Sequence, residues 1–141
     1  MRELPGDVFV TGQLLATQMQ ALAEQGVMSF INNRPDMEGP MQPLSEELEQ
    51  AAQALGIDYA FIPMSGGLSA GLIEASVTAY RDLPRPIVTF CASGMRSAAL
   101  WAFAHVDAIG VDAVMKAVGG AGYNLEQIRG PLDDYLSGKA K

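Results

Sequence analysis

Ile87-Val88-Thr89-Phe90-Cys91-Ala92-Ser93-Gly94-Met95-Arg96-Ser97 carries the only cysteine of the chain. An apolar β-type run (87–90) ends at that cysteine, and an Ala-rich helix opens directly behind it. A thiol in this place faces the positive end of a helix dipole, outward backbone N–H groups and a guanidinium five residues on. Each favours thiolate over thiol. A free thiol titrates near 8.5, so about 3% is ionised at pH 7, and a depression of two units corresponds to roughly 2.7 kcal/mol. Cys91 therefore reads as a nucleophile in an anion-binding loop of Ala92, Ser93, Gly94, Met95 and Ser97. Arg96 ligates the anion through its planar fork, which Lys cannot reproduce. Gly94 supplies a turn with positive φ.

Outward from this loop, β-like and helical patterns alternate. Residues 7–11, 27–31, 59–63 and 87–90 read as strands. Helices are expected over 16–25, 45–55 with Ser45 as N-cap, 69–83 capped by Ser69, 97–106, 112–118 and 125–129. The pattern predicts a single α/β domain over 1–141, with a mostly parallel sheet flanked by helices. Anions bind beyond the carboxyl ends of strands in such folds, where Cys91 lies. The scattered methionines read as core filler.

The chain has 141 residues, 49% of them hydrophobic, and a net charge of −7. That charge argues against a nucleic-acid partner. One cysteine allows no internal disulfide and fits a reducing compartment. Without an apolar leader or an 18-residue apolar run, the expectation is a cytoplasmic protein with no membrane contact. No metal-ligand pattern or cofactor motif is present, so neither is expected. His105 follows Ser97 by eight residues, too far along the helix for a Cys–His dyad, and reads as a helix-end residue. The oligomeric state is not encoded in any motif.

Three further passages extend the pattern: Arg34-Pro35-Asp36 after a strand, Leu55-Gly56-Ile57-Asp58-Tyr59 to Ile62-Pro63, and Ala121-Gly122-Tyr123-Asn124. With Cys91 to Ser97 and Leu100-Trp101, they resemble the small bacterial phosphatase-like domain found alone or beside β-lactamase-like hydrolases. The resemblance covers nearly the whole chain. It implies a protein-tyrosine-phosphatase-like fold, similar to the dual-specificity cysteine phosphatases, with a central sheet of four or five strands and the active loop between the last strand and a buried helix.

Two departures bear on chemistry. Cysteine phosphatases have five residues between Cys and Arg, preceded by His; here four intervene and Phe90 stands in the histidine's place. The string resembles the active loop of rhodanese-type sulfurtransferases, and a shorter loop suits one outer sulfur better than a tetrahedral phosphate. The dual-specificity pattern also implies an Asp acid near Ser65-Gly66-Gly67, where no carboxylate stands. Asp36 or Glu38 could substitute, beside Arg34 as a pocket residue. The leading expectation is therefore a persulfide-forming sulfurtransferase, moving sulfane sulfur from a small anionic substrate to an external thiol, sulfite or cyanide. The alternatives are a cysteine-dependent phosphatase and a non-enzymatic anion-binding module.

Overall fold

In the computed structural model, which describes residues 1–140, five strands form one sheet in the order β1-β2-β5-β3-β4. They are β1 (Arg2–Leu4), β2 (Val8–Thr11), β3 (Ser29–Asn32), β4 (Asp58–Phe61) and β5 (Ile87–Phe90). All neighbours run parallel except β1, which returns antiparallel on β2. The helices are α1 (Ala16–Glu24), α2 (Ser45–Leu55), α3 (Ala70–Asp82), α4 (Met95–Ile109), α5 (Val111–Gly120) and α6 (Arg129–Ala140). A 3₁₀ turn, Glu126–Ile128, precedes α6.

β5 lies between β2 and β3, and all four of its residues are buried. Its side chains alternate between two apolar layers, as a pleated strand requires. Val88 and Phe90 pack with Met19 of α1 and Leu48 and Ala52 of α2. Ile87 joins Trp101, Ala102, Val114 and Leu132 from α4, α5 and α6 on the opposite face. The sheet is thus covered on both sides, and the free end of β5 is fixed at its centre.

Several boundaries differ from the sequence reading. α4 begins at Met95 instead of 97, so Arg96 and Ser97 belong to its first turn. α2 begins at Ser45, but Ser45 is not its own cap: Asp36 Oδ1 accepts the Ser45 N–H at 2.8 Å. The strand read over 27–31 spans Ser29–Asn32, since Val27 closes the turn after α1 by donating to Leu22 O. β1 was not legible because its residues are mostly exposed and charged; it is held by pairing to β2 across a turn in which Gly6 and Asp7 both have positive φ. The short helix expected at 125–129 is the 3₁₀ turn Glu126–Ile128, and α6 beyond it was not expected, because its sequence has little amphipathic pattern although Leu132 is buried. The methionines are not uniformly core: Met19, Met64 and Met115 are buried, whereas Met1, Met28, Met37, Met41 and Met95 are exposed.

Candidate active site

Cys91 follows β5 directly and is buried. Gly94, with φ of +98°, turns the chain into α4. A Cβ there would fall on Tyr123 Oη and lie 3.1 Å from Val10 Cγ1, so conformation and space both demand glycine. The turn brings the Gly94 N–H to 3.0 Å from Cys91 Sγ.

Burial pushes the Cys91 thiol up. The backbone N–H groups of Ser97, Ser93 and Gly94, with the Ser97 hydroxyl, more than offset it, and the thiol lies below its ordinary range. Ser97 Oγ is itself buried without a well-aligned hydrogen-bond partner among the described residues. A hydroxyl in that state has a donor to spare for a charge in the loop. Ala92, Ser93 and Met95 form the exposed rim, and Ser93 Oγ accepts the Met95 N–H at 3.4 Å.

Arg96 is held from the far side of the sheet's end. Its Nη1 donates to Glu38 Oε2 (2.7 Å) and to the Met64 carbonyl (2.9 Å), and Nη2 donates to Glu38 Oε1 (2.8 Å). An arginine has five N–H donors, so Nε–H and one Nη2–H remain on one edge of the plane, with the Cys91 sulfur as their only partner among the described residues. The arginine's pKa is raised, first by the Glu38 hydrogen bond and, against the cost of burial, by the charge of the Cys91 thiolate.

Arg34 reaches the same carboxylate: its Nε donates to Glu38 Oε1 at 3.1 Å, and its Nη1 donates to Gln13 Oε1 at 3.1 Å. The structure thus brings Cys91, Arg96, Glu38 and Arg34 to one end of the sheet. The Arg96 hydrogen bonds first, then Arg34, hold the Glu38 carboxyl below the usual carboxylate range, against desolvation. Glu38 is ionised here and Asp36 caps α2, so neither is placed as a proton donor. Ser65, Gly66 and Gly67 are exposed.

A family model described as the phosphatase-like domain of beta-lactamase hydrolase-like protein matches residues 1–108. The chain belongs to this family. The beta-lactamase hydrolase-like protein of Agrobacterium fabrum (strain C58 / ATCC 33970) is 35% identical over 96 residues, which make up 65% of this chain and 22% of that protein. Its namesake from Xylella fastidiosa (strain Temecula1 / ATCC 700964) is 32% identical over 98 residues, 69% of this chain and 23% of that one. The chain therefore spans about a fifth of the length of these relatives. Among solved structures, a proposed phosphatase from Neisseria meningitidis Z2491 superposes with a TM-score of 0.81 at 25% identity, covering 95% of this chain and 96% of its own. The core catalytic domain of a PP-IP phosphatase from S. cerevisiae shares the fold, with a TM-score of 0.67 at 15% identity over 93% of this chain and 82% of that one.

The phosphatase-like domain thus shares its fold with these phosphatases. These relatives favour phosphate chemistry over the sulfur transfer that the loop spacing led us to expect; none of their names speaks of sulfur. His105 takes no part in the loop. Its Nδ1 lies 2.7 Å from the Trp101 carbonyl, its ring stacks on Trp101, and burial holds it neutral. With α4 running on to Ile109, it is a mid-helix residue and not an end. Sequence reasoning missed Tyr123 as a wall of the loop and Met64 as an acceptor for Arg96. Nothing local marks either, since both arrive by folding. Among the described residues no group of three or more His, Cys, Asp or Glu could hold a metal ion, and no helix is long and apolar enough to cross a membrane.

Proposed function

We propose that this domain is a cysteine-dependent phosphatase acting through a phosphocysteine, on small phosphate monoesters with good leaving groups. The observation that carries the reading is a thiolate-favouring sulfur ringed by N–H donors, beside an arginine whose N–H groups not taken by Glu38 and Met64 have, among the described residues, only the Cys91 sulfur as a partner. The Cys91 thiolate attacks phosphorus. An S–P bond forms as the ester P–O bond breaks, and the leaving oxygen departs with the electron pair. Loop N–H groups and the Nε/Nη2 edge of Arg96 carry the charge on the non-bridging oxygens. Water then attacks phosphorus, the S–P bond breaks, and phosphate leaves as the thiolate is restored.

Glu38 is engaged by Arg96 and Arg34 and Asp36 by the Ser45 N–H, so in this reading neither protonates the departing oxygen and negative charge accumulates on it. Acidic phenols are therefore the expected leaving groups. The test is turnover of an aryl phosphate by the wild-type chain and by Cys91→Ser. Turnover in the wild type that vanishes in Cys91→Ser supports the reading; equal rates place the chemistry elsewhere. Arg96→Lys is expected to lower kcat/KM by about tenfold or more, because a point charge cannot form two parallel hydrogen bonds.

The four-residue spacing between Cys91 and Arg96 favours a second reading. A loop of that length, with no acid beside it, suits a persulfide: the Cys91 thiolate takes the outer sulfur of thiosulfate, releasing sulfite, and cyanide removes it as thiocyanate. Thiosulfate-to-cyanide turnover faster than aryl phosphate hydrolysis would put this reading first.

A further inference from the structure

Glu38 is presented by the loop between β3 and α2, and that loop is braced by its own side chains. Gln42 Oε1 accepts the backbone N–H groups of Glu38 (3.0 Å) and Gly39 (3.1 Å), while Gln42 Nε2 donates to the Pro35 carbonyl (2.8 Å). Asn32 Oδ1 accepts the Arg34 N–H at 2.9 Å, and Asp36 closes the far end on Ser45. Met37 and Met41, in this segment, hold left-handed backbone (φ of +68° and +62°) although their side chains are largely exposed. Such conformations persist only where the surroundings impose them.

A loop fixed in this way does not present a swinging carboxylate. The contacts it makes are selective: Glu38 takes the Nη1/Nη2 end of Arg96, the Met64 carbonyl takes the remaining Nη1–H, and the Nε/Nη2 edge is left with the Cys91 sulfur as its only partner among the described residues. That edge offers the side-on pair of donors suited to two oxygens of one anion. Arg34 Nε shares Glu38 Oε1 with Arg96 Nη2, and this second positive charge leaves the carboxylate less able to repel an anion.

We infer that Glu38, braced by Gln42, is a positioning residue that turns the Nε/Nη2 edge of Arg96 toward the loop of Cys91. The inference rests on reading residues 91–97 as an oxyanion-binding loop, and it assigns Gln42 a role in anion affinity although Gln42 touches neither Arg96 nor Cys91.

The sign of one substitution tests it. Glu38→Gln removes a negative charge beside an anion site, so charge alone predicts tighter binding. Positioning predicts weaker binding, because a carboxamide offers Arg96 one acceptor and one donor. Tungstate is titrated calorimetrically into wild-type chain, Glu38→Gln, Glu38→Asp and Gln42→Leu, with unfolding midpoints confirming that each is folded. The expected result is about a tenfold loss for Glu38→Gln, partial recovery in Glu38→Asp, and a loss of about threefold or more for Gln42→Leu, which changes no charge. Unchanged or tighter binding in Glu38→Gln overturns the inference and makes Glu38 a competitor for the arginine. Unchanged affinity in a folded Gln42→Leu removes the brace from it. Absence of tungstate binding to the wild type also overturns it. Wild-type binding without aryl phosphate turnover sinks only the phosphatase reading.

Discussion

Tyr123, in the turn after α5, closes the space behind Gly94 at the heart of the Cys91 loop. The contact joins a segment beyond the matched family region, residues 1–108, to the loop that defines the family. Burial first, then the Cys91 charge, raises the Tyr123 pKa, so the phenol stays neutral where it meets the loop.

Gly94→Ala is expected to cost about 1–3 kcal/mol of stability, from a methyl at positive φ and its collision with the phenol. Tyr123→Phe removes only the oxygen of that collision. The double variant should therefore be less destabilised than the sum of the two singles, by about 0.5 kcal/mol or more. Strict additivity in chemical denaturation would show that Tyr123 does not constrain the loop.

Ser97→Ala separates thiolate chemistry from stability. The hydroxyl has no well-aligned partner to lose, so at a pH where Cys91 is protonated the unfolding free energy should stay within about 0.5 kcal/mol of wild type. The thiol pKa, followed by thiolate absorbance, should rise, because one donor to the sulfur is gone. An unchanged titration would remove Ser97 from the set of groups stabilising the thiolate.

The depressed thiol also makes stability depend on pH with a definite sign. The folded Cys91 releases its proton at lower pH than an unfolded cysteine, whose value is near 8.5. The unfolded chain then binds more protons between the two values, and its contribution to stability grows with pH. That contribution is complete above about 8.5 and is lost as pH falls through the folded value. Wild type should gain on Cys91→Ala as pH rises across this window. A difference independent of pH would mean that the native thiol titrates like a free one.

Gly67 is the place to install the missing acid. It has ordinary φ, and a Cβ there meets nothing within 4 Å, whereas neighbouring Gly66 has φ of +79°. Gly67→Asp should flatten the dependence of aryl phosphate hydrolysis on leaving-group pKa, with gains of up to about a hundredfold for poor leaving groups. Thiosulfate-to-cyanide transfer should be unchanged or slower, since the added carboxylate repels an anionic donor. A steep dependence preserved in Gly67→Asp would mean that the loop does not carry residue 67 to the leaving group.

The buried Asn33 anchors what surrounds the site. Its Nδ2 donates to the Ile62 carbonyl and its Oδ1 accepts from Thr89 Oγ1, both at 2.9 Å and both buried. Its backbone bonds Phe90 and Met64, the latter carrying the carbonyl that accepts from Arg96. Asn33→Leu leaves the Thr89 hydroxyl and the Ile62 carbonyl without this partner and should destabilise by about 2–4 kcal/mol. A loss below about 1 kcal/mol in denaturant titration would show that water or repacking replaces the network.

The local order of residues determined a good deal by itself. An apolar run, one cysteine, a glycine and an Arg-Ser pair opening an Ala-rich stretch encode strand, loop and buried helix through periodicity and φ preference, which depend only on near neighbours. The alternation of β and α patterns likewise set a mostly parallel sheet. Local order misled where a feature is made elsewhere: the cap of α2 comes from Asp36, nine residues upstream of Ser45, and β1 exists only by pairing with β2. Only the tertiary structure decided the electrostatics of the site. Glu38 and Arg96 are 58 residues apart, and no spacing rule predicts that the carboxylate weighed as an acid becomes the ionised partner of the arginine. Side-chain partners across a sheet's end follow from strand order and loop path, which are set by burying both faces of β5 and not by the sequence around either residue.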